Sequence, residues 1–191
     1  MPLIPSASQT VGPFFNFALT ADRGLGTLAR EGAEGEHIRL AFRVVDGDGA
    51  PMPGDSLIEL WQADARGRYA HALDPRAGEA DPNFCGFGRL ETDADGFCVF
   101  ETVRPGPVSD GRGGTQAPHI NVAVFARGLL KQLYTRVYFE GEAANAHDPV
   151  LALVPEHRRA TLLAKPAAGQ PNTWSMEIRL QGEAETVFFD L

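Results

Sequence analysis

Apolar and polar positions alternate most regularly from Ala117 to Gly128 (Ala-Pro-His-Ile-Asn-Val-Ala-Val-Phe-Ala-Arg-Gly), which predicts a strand. Successive side chains point to opposite faces of a sheet, so His119, Asn121, Ala123 and Phe125 share one face. His37 to Val45 predicts another strand, closed by the turn Asp46-Gly47-Asp48-Gly49. Leu57 to Gln62 predicts a third, with Trp61 expected in the core. Phe87 to Thr92 and Phe97 to Val103, joined by Asp93-Ala94-Asp95-Gly96, read as a hairpin. Gln132 to Phe139 puts Leu133, Thr135, Val137 and Phe139 on one face. Thr173 to Leu180 and Glu185 to Asp190 are the last strands expected. Pro155 to Ala164 is the one helix expected, with Pro155 in its first turn and Arg158 and Arg159 on a solvated face. About eight short strands with one short helix and long loops predict an all-β fold, an antiparallel β-sandwich.

The first 20 residues break this pattern. Gly12-Pro13 forces a turn, and Phe14, Phe15 and Phe17 need cover, so residues 1–20 are expected to form an apolar arm rather than a regular element. The arm packs either on its own domain or on a partner chain. Residues 21–36 are expected to be a loop, and 21–191 form a single domain. At 191 residues, 43% hydrophobic and 22% charged, the chain is long enough to bury a substantial core. Its 14 prolines and 21 glycines fit many turns. A net charge of -8 disfavours nucleic acid and anionic membranes as partners. No apolar run reaches the length of a membrane span, and Met1 to Ser6 lacks the features of a signal peptide. Cys85 and Cys98 fit no metal-finger spacing and are expected as free thiols in a cytoplasmic protein.

Two features suggest chemistry. A His-x-His pair on one strand face offers two imidazoles to one metal ion, but here the second position is Asn121, a poor ligand. Upstream, Arg104-Pro105-Gly106-Pro107-Val108 leads through a glycine-rich loop into the same strand. The combination has the outline of a metal site with ligands missing, while a lone His119 also suits a hydrogen-bonded core role. Arg127, at the strand's end beside Gly128, is either a solvated rim residue or a donor fork for a carboxylate. Hydrolase elbows, phosphate-binding loops and nucleotide fingerprints are missing from the sequence.

Several motifs in order then give a family resemblance. They are Ser8-Gln9-Thr10-x-Gly12-Pro13, Leu60-Trp61-Gln62-Ala63-Asp64 with Gly67-Arg68-Tyr69, Asp81-Pro82-Asn83-Phe84 with Gly86-Phe87-Gly88-Arg89, Pro105-Gly106-Pro107, Ala117-Pro118-His119-Ile120 and Arg136-Val137-Tyr138-Phe139. Across nearly its whole length the chain resembles the intradiol ring-cleaving dioxygenases. The resemblance implies a β-sandwich core without the family's long helical dimerisation segment. It also implies a non-haem Fe(III) held by two tyrosines and two histidines, at positions that read Tyr69, Val108, His119 and Asn121 here. Val108 has no donor atom and Asn121 only a weak neutral one, so no metal is expected on this chain.

Some members pair an iron-bearing β chain with an iron-free α chain, and this sequence resembles the α type, including its ending Gly182 to Asp190. The resemblance then implies a homologous iron-binding β partner, a higher oligomer of αβ units, and a small aromatic substrate with O2. Thr10, Gly12, Pro13 and Arg127 are the positions expected to bind substrate, with no catalytic residue on this chain alone. An autonomous catechol-type dioxygenase and a non-catalytic carrier of aromatic ligands remain open as alternatives.

Overall fold

The computed structural model of the chain describes residues 7–10, 12–52 and 56–190. Ten strands occur among them in chain order: β1 (His37–Val45), β2 (Ser56–Trp61), β3 (Phe87–Glu91), β4 (Phe97–Val103), β5 (Val108–Ser109), β6 (Thr115–Gln116), β7 (Ile120–Ala126), β8 (Leu133–Phe139), β9 (Leu163–Pro166) and β10 (Thr173–Arg179). Eight form one sheet in the order β3-β2-β7-β8-β9-β10-β1-β4, while β5 and β6 pair as a small ribbon. Mostly β structure is therefore as expected. The sheet is mixed, however, because β1 runs parallel to β10 and β8 parallel to β9. Its outer strands β3 and β4 are consecutive in the chain, which draws the two ends together into a nearly closed barrel rather than two distinct antiparallel layers.

The same curl corrects the hairpin. Asp93 to Gly96 does turn, with the Gly96 amide donating to the Asp93 carbonyl at 3.1 Å, but β3 pairs with β2 and β4 with β1. Turn chemistry reverses the chain locally; burial of the apolar faces decides which strands then pair. Between the two outer strands runs the segment Thr27 to Ala29. The Leu28 amide donates to the Glu101 carbonyl at 2.8 Å, and the Leu28 carbonyl accepts from the Cys85 amide at 2.8 Å. Leu28 is wholly buried beneath this strap.

The interior is apolar, with Phe42 and Phe100 meeting edge to face at 6.0 Å among Leu40, Leu60, Val122 and Phe139. Each such fully buried side chain stabilises the fold by roughly 1.5–3 kcal/mol. Strand β8 serves two cores. Thr135, Val137 and Phe139 point inward as expected, and Tyr138 points outward into a second cluster with Ala117, Leu151, Val154 and Leu162.

Four expectations change. Trp61 is 36% exposed, because Leu60 takes the inward face and its neighbour must point out. Residues Pro13–Thr20 form an α-helix, α1, with Pro13 in its first turn, where proline's fixed φ and missing amide cost nothing. Helix α1 lies against β3 with Phe17 exposed; the side chains of Phe14 and Phe15 and residues 1–6 lie outside the described ones. Glu156–Leu162 is a 3-10 helix instead of an α-helix, and its arginines are anchored rather than solvated. Arg158 donates to the Glu185 carbonyl at 2.9 Å and Arg159 to the Val154 carbonyl at 2.9 Å. Finally, residues 185–190 make a single bridge, Tyr134 to Phe189, and are otherwise held by scattered bonds: the Thr186 amide donates to the Arg179 carbonyl at 3.0 Å and the Thr135 hydroxyl to the Val187 carbonyl at 2.8 Å.

One loop contact positions the site. Gly67, at φ +73°, packs so closely on the Pro107 carbonyl that an added Cβ would lie 1.9 Å from its oxygen. Gly111 has the same φ with open space around it. Gly111→Ala should therefore cost only the left-handed backbone penalty, about 1–2 kcal/mol, and Gly67→Ala roughly 3 kcal/mol or more. Urea denaturation measures both, and equal losses would remove the contact from the account.

Candidate functional site

The four positions that the family resemblance marks as metal ligands come from separate segments that the fold brings together. Tyr69 follows the turn built on Asp64, whose buried carboxylate accepts from the amides of Arg66 (2.8 Å), Arg68 (2.9 Å) and Asp81 (3.1 Å). The Asp64 carbonyl also accepts from the Gly106 amide at 2.9 Å, which docks the Pro-Gly-Pro loop and with it Val108. Tyr69 is further located by its own amide, which donates to Asp74 at 2.9 Å, and by its ring, stacked on Trp61 at 5.7 Å. Its hydroxyl is hydrogen-bonded to Asn121. Asn121 in turn reaches the Trp61 carbonyl at 3.4 Å.

His119 is 3% exposed, just before β7. Its Nδ1 lies 2.8 Å from the Ala117 carbonyl, which can only accept, so Nδ1 carries the proton. Its ring lies 5.9 Å from that of Tyr138, whose hydroxyl donates to Asp148 at 2.9 Å. Asp148 also accepts from the amides of Ala117 (2.8 Å), Val150 (2.9 Å) and Leu151 (2.7 Å), so the lead-in to β7 is pinned from below. Arg136 on β8 is the cross-strand partner of Asn121 and donates to Gln116 at 2.7 Å.

The electrostatics follow from burial and from that arginine. Burial raises the Tyr69 phenol above its usual range, against the Arg136 charge and the Asn121 hydrogen bond. Burial, helped by Arg136, lowers the His119 imidazole to about 4. As donors, then, the site offers one protonated phenol and one imidazole, beside a neutral amide and an aliphatic valine. Among the described residues no three or more His, Cys, Asp or Glu side chains gather as a metal cluster. A ferric ion, hard and highly charged, is not matched by this set. Tyr69 and Val108 also line, with Trp61, His71, Leu73 and Arg76, a cleft of about 430 Å³.

The positions expected to bind substrate form a different group. The Thr10 hydroxyl accepts from the Gly128 amide at 2.8 Å, which fastens the arm beside Arg127, and Gly12 caps α1, which opens with Pro13. Arg127 is exposed one residue beyond β7. Asn121 and Arg127 are six residues apart on an extended strand, so the two groups lie roughly 20 Å from each other. A Cβ added at Gly12 would meet nothing among the described residues within 4 Å.

Reading the sequence alone placed Trp61 in the core, passed over Gln116 and Asp148, and gave Arg136 only as part of a family motif. A polar residue between Tyr134 and Tyr138 on an alternating strand was the available signal for Arg136. Its register opposite Asn121 is set by tertiary pairing.

Comparisons with known proteins agree on a family. The dioxygenase family model matches residues 10–182. A protocatechuate 3,4-dioxygenase alpha chain from Burkholderia cepacia is 44% identical over 197 residues, spanning 96% of this chain and 96% of the relative. The beta chain from the same organism is 35% identical over 159 residues, spanning 82% of this chain and 64% of the relative. Among solved structures, 3-chlorocatechol 1,2-dioxygenase from Rhodococcus opacus 1CP superposes with a TM-score of 0.64 at 24% identity, over 93% of this chain and 67% of that one.

The buried imidazole makes stability depend on pH. Unfolded, His119 takes its proton near 6.5; folded, near 4. The unfolded state therefore binds more protons between these values, so the contribution is fully present above about pH 6.5 and is lost as pH falls towards 4. The loss is roughly 3 kcal/mol. His119→Gln should flatten this slope in urea denaturation at pH 7 and pH 4.5; an unchanged slope would assign the acid sensitivity elsewhere.

Proposed function

This chain belongs to the intradiol ring-cleaving dioxygenase family, and on that footing we propose that it serves as the iron-free α chain of a protocatechuate 3,4-dioxygenase. In this reading it pairs with a homologous β chain that binds the Fe(III), in a higher oligomer of αβ units located in the cytoplasm. The assembled enzyme inserts both atoms of O2 between the two hydroxyl-bearing carbons of protocatechuate and yields 3-carboxy-cis,cis-muconate. The β iron supplies activation of the catecholate by direct coordination. This chain's nearly closed sheet is the counterpart of the family's sandwich core, and residues 1–20 are the arm that packs on β.

The observation that carries the reading is the separation of the two residue groups along β7. At one end the ligand positions have lost two donors. At the other, Thr10 ties the arm to Gly128 next to an exposed Arg127, at the surface, where a neighbouring chain can reach. In the assembly the arm and Arg127 face the β iron's pocket. Gly12, which nothing among the described residues requires to be small, leaves room there for substrate or for the partner. Pro13 stiffens the first turn of α1 as a wall. Arg127 offers paired N–H donors to the ring carboxylate and so orients the substrate.

The chain separated from β should be colourless, since Val108 and Asn121 replace two donors; a ferric tyrosinate absorption band in it would contradict the assignment. Arg127 provides the second check. A charge-assisted hydrogen bond contributes about 1.5–3 kcal/mol, so Arg127→Ala should lower kcat/KM for protocatechuate roughly 10- to 100-fold. Catechol, without the carboxylate, should lose much less. Equal losses on both substrates in a fully assembled variant would remove carboxylate recognition from Arg127.

A further inference from the structure

We propose that the guanidinium of Arg136 occupies the place that the family gives to its metal ion, so that this chain fills the site with a fixed internal cation; this rests on the iron-free reading above. The position is set by strand register. Arg136 lies directly across β8 and β7 from Asn121, and directly opposed side chains on one face are about 5 Å apart at Cβ. Its Nη1 donates to Gln116 at 2.7 Å, and Gln116 is the cross-strand partner of Val108 in the β5–β6 ribbon. The same nitrogen lies 3.4 Å from the hydroxyl of Tyr138, whose ring packs beside His119. Tyr69 completes the circle through its hydrogen bond with Asn121. One guanidinium thus lies across from Asn121 and is linked through Gln116 to Val108 and through Tyr138 to His119.

No carboxylate among the described residues forms an ion pair with Arg136; its partners are the neutral oxygens of Gln116 and Tyr138. An arginine cannot shed its charge, so a metal cation entering this space meets a permanent like charge at short range, in surroundings that screen it poorly. The loss of two donors makes the site weak for metal; Arg136 makes it closed to metal. Restoring the donors alone is therefore not sufficient.

The test counts iron in the assembled αβ complex, so that this chain keeps its partner. The natural complex should hold about one iron per pair, that of β. With Val108→Tyr and Asn121→His together the count should stay near one. Adding Arg136→Gln should raise it towards two, with a matching rise in ferric tyrosinate absorption, whereas Arg136→Lys, which keeps the charge, should not. Two irons in the natural complex would overturn the iron-free reading itself. Two irons in the donor-restored complex with Arg136 intact, or no gain on neutralising it, would overturn the proposal and leave that reading standing.

Arg136→Met, which keeps an apolar stem, serves if Arg136→Gln does not assemble. If neither neutral variant assembles while Arg136→Lys does, the fold itself needs the charge at this place, which supports the proposal. Loss of assembly with Arg136→Lys as well would put the role in the shape of the guanidinium and overturn it.

Discussion

A carboxylate taken out of water must have its oxygens satisfied, and this chain places two of them, Asp64 and Asp148, on either side of its old ligand positions. Asp64 gathers backbone amides from the Tyr69 turn and from Asp81, and its carbonyl holds the Pro-Gly-Pro loop. Asp148 gathers Ala117, Val150, Leu151 and the Tyr138 hydroxyl. Between them they position every segment that contributes to the site. Because these bonds run mostly to backbone, they are indifferent to the side chains at 69, 108, 119 and 121. That is why the frame can persist while Val108 and Asn121 stand where donors would be.

The frame also keeps the two ends of β7 independent. At the His119 end the contents are buried or half-buried and hydrogen-bonded to one another around one cation, Arg136. At the Arg127 end, the arm is tied by a threonine hydroxyl to a glycine amide, and Arg127 is exposed. One strand thus carries two groups of side chains far enough apart that neither constrains the chemistry of the other.

Much of this was legible in the residues. The bounds of β1 and β4, the inward face of β8 and the turns at Asp46 and Asp93 follow from alternation and glycine placement, which are local. The strand-pairing failure was tertiary, and the others were local. Nothing in Asp93 to Gly96 says that the strands on either side will join different neighbours, and nothing in Pro155 to Ala164 distinguishes a 3-10 helix from an α-helix. Trp61 was misread because a large aromatic suggests a core, although alternation from Leu60 already pointed it outward. Tyr69, Val108, His119 and Asn121 could be picked out by motif. Arg136 also stood in a motif, but its meaning lies in which residue sits across from it, which the motif does not give.

The strap at Leu28 has a consequence for how this chain meets other molecules. Sheet proteins commonly join by strand addition, in which an exposed edge accepts a further strand through free amides and carbonyls. Here the two edges are turned towards each other, and the groups at Glu101 and Cys85 are already taken by the chain's own segment. A sheet with its edges drawn together and strapped in this way presents less backbone for a further strand to pair with. Recognition is left to side chains and to the arm, whose identities can be exact where a row of backbone groups is the same in every protein. Closure of the barrel thereby turns assembly from a generic event into a selective one.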